Sequence, residues 1–572
     1  MEIIYIWVKE YKNLKDFELN LSSTVQFKYS KEKNSVQRIG TKKIPANFFP
    51  YNVTDVVALI GKNGSGKSNA LELICNSLKG SKTSILQDFF VITKQSGKKR
   101  YIGYYNFTSP TPPTSRCVDF EEHRGNISSL DVVFFSNVND QRRNNFSKEV
   151  FDLSENSKNL RSALRWDLDF SKQISFLESP YFSELEIEEP IAAHITVNVF
   201  NTFTGIRQNL LSSKNLSELH KFIRRRTKDL QPRTRFALLS QYLYYVGFLN
   251  AYLGSVRFSD RGENHLVDLD FDVGYVMDRF TSTEEVLAEL IRELKKRCMK
   301  FGIFKSEKFD IFSHPRLADG ILLKQQFDFI ENLPAMCSDL DMEYSSDAIR
   351  ERSQQSFIIR YSGYSRNFLQ SYAANMSFIR FINLDWLGLS SGQKAYLNLF
   401  STLTSALDKV AEDNVILLID EGDLYLHPKW QVDFLYRLLT ILSIATNRKI
   451  QLILTSHSPL LISDLPRQNI AILGDRESDA QNFNHSLETF GANLYDLYAG
   501  PLFLEGMTSG LFSSLKIRDF MKLLDNKSYT AIEKEYIEDF LNILGDKIFK
   551  FKFEEIYNNK NVNSLKEIFN RD

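Results

Sequence analysis

The chain has 572 residues, room for three or four structural units at roughly 150 residues each. Hydrophobic residues make up 43% and charged residues 25%, with 71 Lys and Arg against 71 Asp and Glu, which excludes collagenous, disordered and globally polycationic chains. Four widely spaced cysteines (Cys75, Cys117, Cys298, Cys337) exclude a disulfide framework or a zinc knuckle. With no run of 18 apolar residues and no leader ahead of one, the sequence predicts a protein of the reducing cytoplasm without a membrane segment.

Ile3–Val8 and Phe17–Phe27, rich in β-branched and aromatic residues, predict an N-terminal antiparallel sheet. A short apolar strand, Asp55–Ile60, then runs into Gly61-Lys62-Asn63-Gly64-Ser65-Gly66-Lys67-Ser68 and a helical stretch, Asn69–Ile74. Strand, G-x-x-x-x-G-K-S loop and helix is the order needed to wrap backbone N–H groups around a triphosphate, with the positive helix end behind it. The cradle predicted for ATP is Gly61, Asn63, Gly64, Ser65, Gly66, Lys67, Ser68 and Asn69. Lys67 reaches the β- and γ-phosphates, and the Ser68 hydroxyl suits Mg²⁺, a hard cation that prefers oxygen. A chance glycine turn is the alternative, and the flanking strand and helix argue against it.

Residues 87–107 predict a hairpin, and Leu130–Phe135 a strand that leads into Ser136-Asn137. From about 205 to 345 the apolar spacing is helical, as in Val286, Leu287, Leu290, Ile291 and Leu294. Strand-like sequence returns at Ser377–Asn383. Leu389-Ser390-Ser391-Gly392-Gln393 then opens a helix that runs to Leu407. Two apolar strands follow: Val415–Ile419 ends in Asp420-Glu421, and Ile450–Thr455 ends in Ser456-His457. A helix from Trp430 to about Ala445 separates them, so they predict a parallel sheet covered on both faces. Two acids at a strand end are ordinarily just solvated. Beside a phosphate loop they become candidates, Asp420 to hold Mg²⁺ through water and Glu421 to activate the attacking water. Together with Lys67, Glu421 and His457 form the predicted catalytic set.

LSSGQ at 389–393, between the loop and the Asp-Glu pair, resembles the signature of ABC-type ATPases, and the split head resembles the SMC/RecF/OLD branch among AAA family ATPases. The resemblance implies an α/β fold: an ABC-type P-loop ATPase head with a mainly parallel core sheet, interrupted by a mostly helical insert. The expected divisions are 1–140 and 371–480 for the head, 141–370 for the insert and 481–572 for a helical cap. It further implies that Ser390, Ser391, Gly392 and Gln393 seal a nucleotide held by a second copy, giving a homodimer with ATP between the heads. Ser391 replaces the family's first glycine. Gly422–Pro428 falls at the D-loop. The Q-loop contact to Mg²⁺ or water falls to Asn137 or, second, to Gln141. Without coiled-coil arms, a zinc hook or a metal-binding Asp-x-Asp after Glu505-Gly506, the chain carries no predicted nuclease site.

LHPKWQ at 426–431 and FGAN at 490–493 resemble the compact Septu-type anti-phage ATPases, retron-associated forms included. That likeness implies a PtuB-like HNH endonuclease as partner and, in some systems, a reverse transcriptase with its RNA and DNA. A RecF-like repair ATPase that binds DNA directly and a nucleotide sensor with negligible turnover are the competing readings. The cluster Lys221, Arg224, Arg225, Arg226, Lys228, Arg233, Arg235 leaves open both phosphate binding and a merely solvated or protein-facing helix.

Overall fold

The computed structural model describes residues 1–40, 44–45, 47–80, 84–85, 87–95, 97–108, 111–138, 140, 142, 144–157, 166–199, 211–255, 273–300, 320–345, 354–376, 379, 382–473, 488–494, 497, 511–526 and 528–569. The chain begins with β1 (Glu2–Tyr11), β2 (Leu14–Asn20), β3 (Gln26–Ser30), β4 (Ser35–Ile39), β5 (Val53–Gly61), α1 (Lys67–Lys79), β6 (Phe89–Lys94), β7 (Tyr101–Asn106) and β8 (Val118–Glu122). One five-stranded sheet runs in the order β2-β1-β6-β7-β8, antiparallel except for the β7–β8 pair. The pleat divides the strand β1 between two cores: Ile3, Ile6 and Val8 pack with α1, whereas Ile4, Tyr5 and Trp7 pack with Phe27 and Val36 of the β3–β4 hairpin. A register irregularity between Ile3 and Tyr5 lets the neighbours Ile4 and Tyr5 share a side.

The sequence continues through β9 (Asp131–Ser136), β10 (Val150–Asp152), α2 (Trp166–Leu177), β11 (Ala192–Asn198), α3 (Leu211–Arg226), α4 (Pro232–Ser255), α5 (Val273–Arg279), α6 (Thr283–Lys300), α7 (Gly320–Cys337), β12 (Met342–Tyr344), β13 (Gln354–Arg360), α8 (Gly363–Met376), β14 (Ile382–Leu387), α9 (Ser391–Leu407), β15 (Asn414–Asp420), α10 (Pro428–Ala445), β16 (Lys449–Thr455), α11 (Pro459–Ser463) and β17 (Ile470–Leu473). The continuous apolar runs form the central sheet β10-β9-β15-β16-β5-β17, in which every pairing is parallel. Val57, Leu59, Val132 and Ile416 on one face pack with Leu71, Ile74 and Leu78 of α1. That helix is thereby clamped between the central and N-terminal sheets. The alternate residues, Val56, Val133, Leu417 and Leu452, are buried as completely, and α10 lies against β5 on their side. Asp420 stands opposite both Ser136 and Thr455, and Thr455 opposite Leu59, so the carboxyl ends of β9, β15, β16 and β5 come out level.

The segment 141–370 contains the expected helices, and it also supplies β11, β12 and β13 to an antiparallel sheet ordered β12-β13-β11-β14. Its β14 leads directly into the LSSGQ helix. Of the strand expected at 377–383, Ile382 and Asn383 open β14, and residues 377, 378, 380 and 381 lie outside the described residues. The chain divides into two compact units, Met1–Gly491 and Ala492–Asp572. In the second, α12 (Leu511–Leu524), α13 (Ala531–Ile543) and α14 (Lys547–Phe569) share a small core of Phe520, Ile537, Phe540 and Phe553. Glu505-Gly506 lies outside the described residues. No helix among the described residues is long and apolar enough to cross a membrane.

Candidate nucleotide site

The phosphate loop is shaped from both ends. A Cβ on Gly61 would fall 2.3 Å from the Leu473 carbonyl oxygen, because β17 pairs right up to that residue. Gly66 caps α1 at φ 94°, a left-handed conformation that glycine adopts without steric cost, and a Cβ there would fall 2.7 Å from the Leu14 side chain. Gly66 has no side chain with which to cap the first-turn N–H groups of α1, a helix end suited to an anion. Asn13, in the β1–β2 turn, donates to the Gly64 carbonyl (3.2 Å) and accepts from the Asn69 amide (2.6 Å), tying loop and helix to the N-terminal sheet. Arg142 bonds both Asn69 and Glu72.

Lys67 is buried, and its ammonium donates to the carbonyls of Gly61 (2.9 Å) and Lys62 (3.2 Å). Burial lowers its pKa, while the nearby Glu421 and Asp420 oppose that shift. Asp420 is only 4% exposed; burial raises its pKa, against hydrogen bonds from Thr455 and Ser68 and the charge of Lys67. Ser68 and Asp420, 352 positions apart in sequence, are therefore neighbours. A hydroxyl beside a carboxylate is an all-oxygen set that fits Mg²⁺.

One hydroxyl, unmarked by any sequence pattern, orients both acids. Thr455 donates to Asp420 Oδ1 at 2.6 Å and accepts from the Glu421 backbone N–H at 3.0 Å. Its relevance depends on the β15–β16 register, which only the folded sheet reveals. Glu421 takes φ 49°, a left-handed conformation costly for a residue with a Cβ, and its Oε1 lies 3.4 Å from His457 Nε2. The His457 hydrogen bond, then its charge and that of Lys67, hold the Glu421 carboxyl below the usual range despite partial burial. Asn137 follows β9 and donates to the Gly422 carbonyl at 3.2 Å, beside the two acids. Gln141 lies outside the described residues.

The structure thus gathers the loop, Asp420, Glu421, His457 and Asn137 at one end of the central sheet. Residues 390–393 are not drawn into this group. Ser390 caps α9 and exchanges hydrogen bonds with Gln393, while Ser390 and Ser391 are exposed. A Cβ on Gly392 would lie 3.5 Å from Trp430, whose carbonyl accepts from the Tyr396 hydroxyl at 2.7 Å. The next residue, Gln431, donates to the Leu426 carbonyl at 3.2 Å and accepts from Ser458 at 3.0 Å, while Asp423 accepts from Ser456 at 2.6 Å. The signature helix and the segment around His457 are therefore linked within one chain through Trp430 and Gln431. Arg224, Arg225 and Arg226 lie on the exposed side of α3, in the insert.

A glycine loop between a parallel strand and a helix, with paired acids on a nearby strand end, defines a P-loop ATPase. Residues 56–463, more than half of the chain, match the family described as "AAA domain, putative AbiEii toxin, Type IV TA system", and the chain belongs to that family. It is similar to the retron Vc95 probable ATPase of Vibrio cholerae serotype O1 biovar El Tor, 23% identical over 513 residues that cover 87% of this chain and 82% of that protein. Shorter likenesses join it to the retron Ec83 probable ATPase of Escherichia coli, 36% identical over 99 residues (16% of this chain, 17% of that one), and to the Septu protein PtuA of Bacillus thuringiensis, 27% identical over 163 residues (26% and 39%). These relatives bear out the resemblance read from LSSGQ, LHPKWQ and FGAN.

Proposed function

We propose that this ATPase is the ATP-hydrolysing subunit of a prokaryotic anti-phage defence complex, in which nucleotide-dependent pairing of two heads governs a partner HNH endonuclease. Where a retron is present, its reverse transcriptase with its RNA and DNA belongs to the same assembly. Similarity to retron and Septu proteins supports the defence setting. The observation that carries the pairing is the split of the site: the loop and acids converge, while Ser390 and Ser391 stand exposed at a helix N-terminus, available to phosphate on a second copy.

In this reading the first-turn N–H groups of α1 and the Lys67 ammonium hold the β- and γ-phosphates. Ser68 and Asp420 would hold Mg²⁺, with Asn137 beside them, and the ion would neutralise charge on the phosphate oxygens. Glu421 is the base. Its carboxyl stays ionised, accepts a proton from the attacking water and is held in place by His457, while the Thr455 hydroxyl holds the Glu421 backbone N–H. Asp420 keeps to metal binding because its Oδ1 already accepts from Thr455.

Glu421→Gln should lower kcat by about 10²-fold or more, the usual worth of a general base, and should accumulate an ATP-bound dimer on size exclusion. Lys67→Ala should lose the rise in Tm that ATP gives the native chain. Hydrolysis at the native rate by Glu421→Gln overturns the catalytic assignment; an ATP-loaded variant that stays monomeric overturns the pairing.

A further inference from the structure

Residues 221–235 carry Lys221, Arg224, Arg225, Arg226, Lys228, Arg233 and Arg235 against Asp229 alone. The fold places them on one corner, where α3 ends and α4 begins. Leu216, Leu219 and Ile223 of α3 are fully buried, so the cations occupy the opposite, solvent side, and all but Arg235 are exposed. The neighbouring basic helix shows what an internally neutralised cluster looks like. On α6, Arg292 pairs with Glu289, Lys295 with Asp328 and Glu331, and Lys296 and Arg297 with Glu293. By contrast Lys221, Arg225, Arg226, Lys228, Arg233 and Arg235 form no ion pair with any described carboxylate.

The corner is also braced. Arg233 donates to the Ser338 carbonyl at 2.6 Å, and Arg235 donates to the Lys228 carbonyl at 3.1 Å while lying over the Tyr344 ring. The Tyr344 hydroxyl in turn donates to the Leu230 carbonyl at 2.5 Å. Arg226 lies over Phe222, which keeps its guanidinium on the helix surface. The carboxylates nearest in sequence to these residues are Glu218, exposed one turn before Lys221 on α3, Asp229 in the turn, Asp339 next to Ser338, and Asp341, which pairs with Arg360. Lys221 to Arg226 alone covers about 7 Å of helix, and the turn extends the row beyond it. This is a tract of positive charge rather than a socket for one anion.

We propose that this face binds nucleic acid through its backbone phosphates, without reading base sequence. Arginine dominates the row, and a guanidinium matches phosphate oxygens two at a time. A lipid surface fits less well, because Leu216, Leu219 and Ile223 of α3 are buried and Phe222, partly exposed beside the cations, lies under the Arg226 guanidinium. The proposal goes beyond the ATPase reading and does not depend on it.

The test is fluorescence anisotropy of labelled oligonucleotides of random sequence, duplex DNA and single-stranded RNA, titrated with the full-length protein between about 50 and 200 mM salt. Binding to either should weaken steeply with salt, and the stronger of the two identifies the strand form. Replacing Arg225, Arg226 and Lys228 together by Gln should make the duplex slope of log K against log salt shallower by about 2.7, at about 0.9 for each phosphate no longer neutralised. ATP hydrolysis should be unchanged, and Lys296→Gln on α6 should bind like the native chain. If the triple variant does not fold, Arg225→Gln alone should make the slope shallower by about 0.9. Native protein that binds neither oligonucleotide, or a slope indifferent to these substitutions, overturns the proposal. So does Arg225-dependent retention on phosphatidylserine vesicles in place of nucleic acid.

Discussion

Glu421 and His457 are separated by a strand and a helix, yet they meet at 3.4 Å because β15 and β16 are adjacent and parallel. Their proximity has a consequence for pH. A carboxyl held below its ordinary range is ionised, and so able to act as a base, down to lower pH than an isolated glutamate. His457→Ala removes the principal cause of that depression and leaves burial, which pushes the other way. The acid limb of the kcat–pH profile should therefore move to higher pH, along with a fall in kcat. An unmoved limb would mean that His457 does not set the charge of the base. The residues of the loop, the acid pair and the histidine are legible in sequence because each lies in a short local pattern. Thr455 and Asn13 are not, since what matters about them is a partner reached only through strand register or across two sheets.

At the scale of elements, α1 is the piece on which the site depends. The helical spacing of its apolar residues was readable from Leu71 and Ile74, and its start from the glycine loop. That it carries apolar residues toward two different sheets at once was not. Leu71 is fully buried in this double interface, and Leu71→Ala should lower the stability of the first unit by about 2–5 kcal/mol, measured by urea unfolding. A destabilisation under about 1 kcal/mol would mean that the helix is less firmly clamped than its burial implies. The strands β11 and β13 escaped the sequence reading for a related reason. Each spans seven residues inside a largely helical stretch, and each becomes a strand through pairing with a partner far along the chain, β11 with both β13 and β14, and β13 with β11 as well as the nearby β12.

For the whole molecule, the split after Gly491 yields two units, each with a core of its own. A chain ending at residue 491 should keep the ATP-dependent rise in Tm, because every element of the nucleotide site precedes that point; disappearance of the rise would place part of the site in the helical unit. The sequence by itself determined the class of protein: a triphosphate loop, its acids and its signature are contiguous patterns whose chemistry follows from residue type and spacing, and the apolar strands announce a parallel sheet. Tertiary structure alone decided which strands are neighbours. That choice brings Ser68 to Asp420, makes Thr455 the hinge of both acids, leaves Ser390 and Ser391 exposed, and sets a row of basic residues on a solvent-facing corner of the insert. Contacts between distant segments arise from the burial of whole faces, and no local pattern encodes which face will meet which.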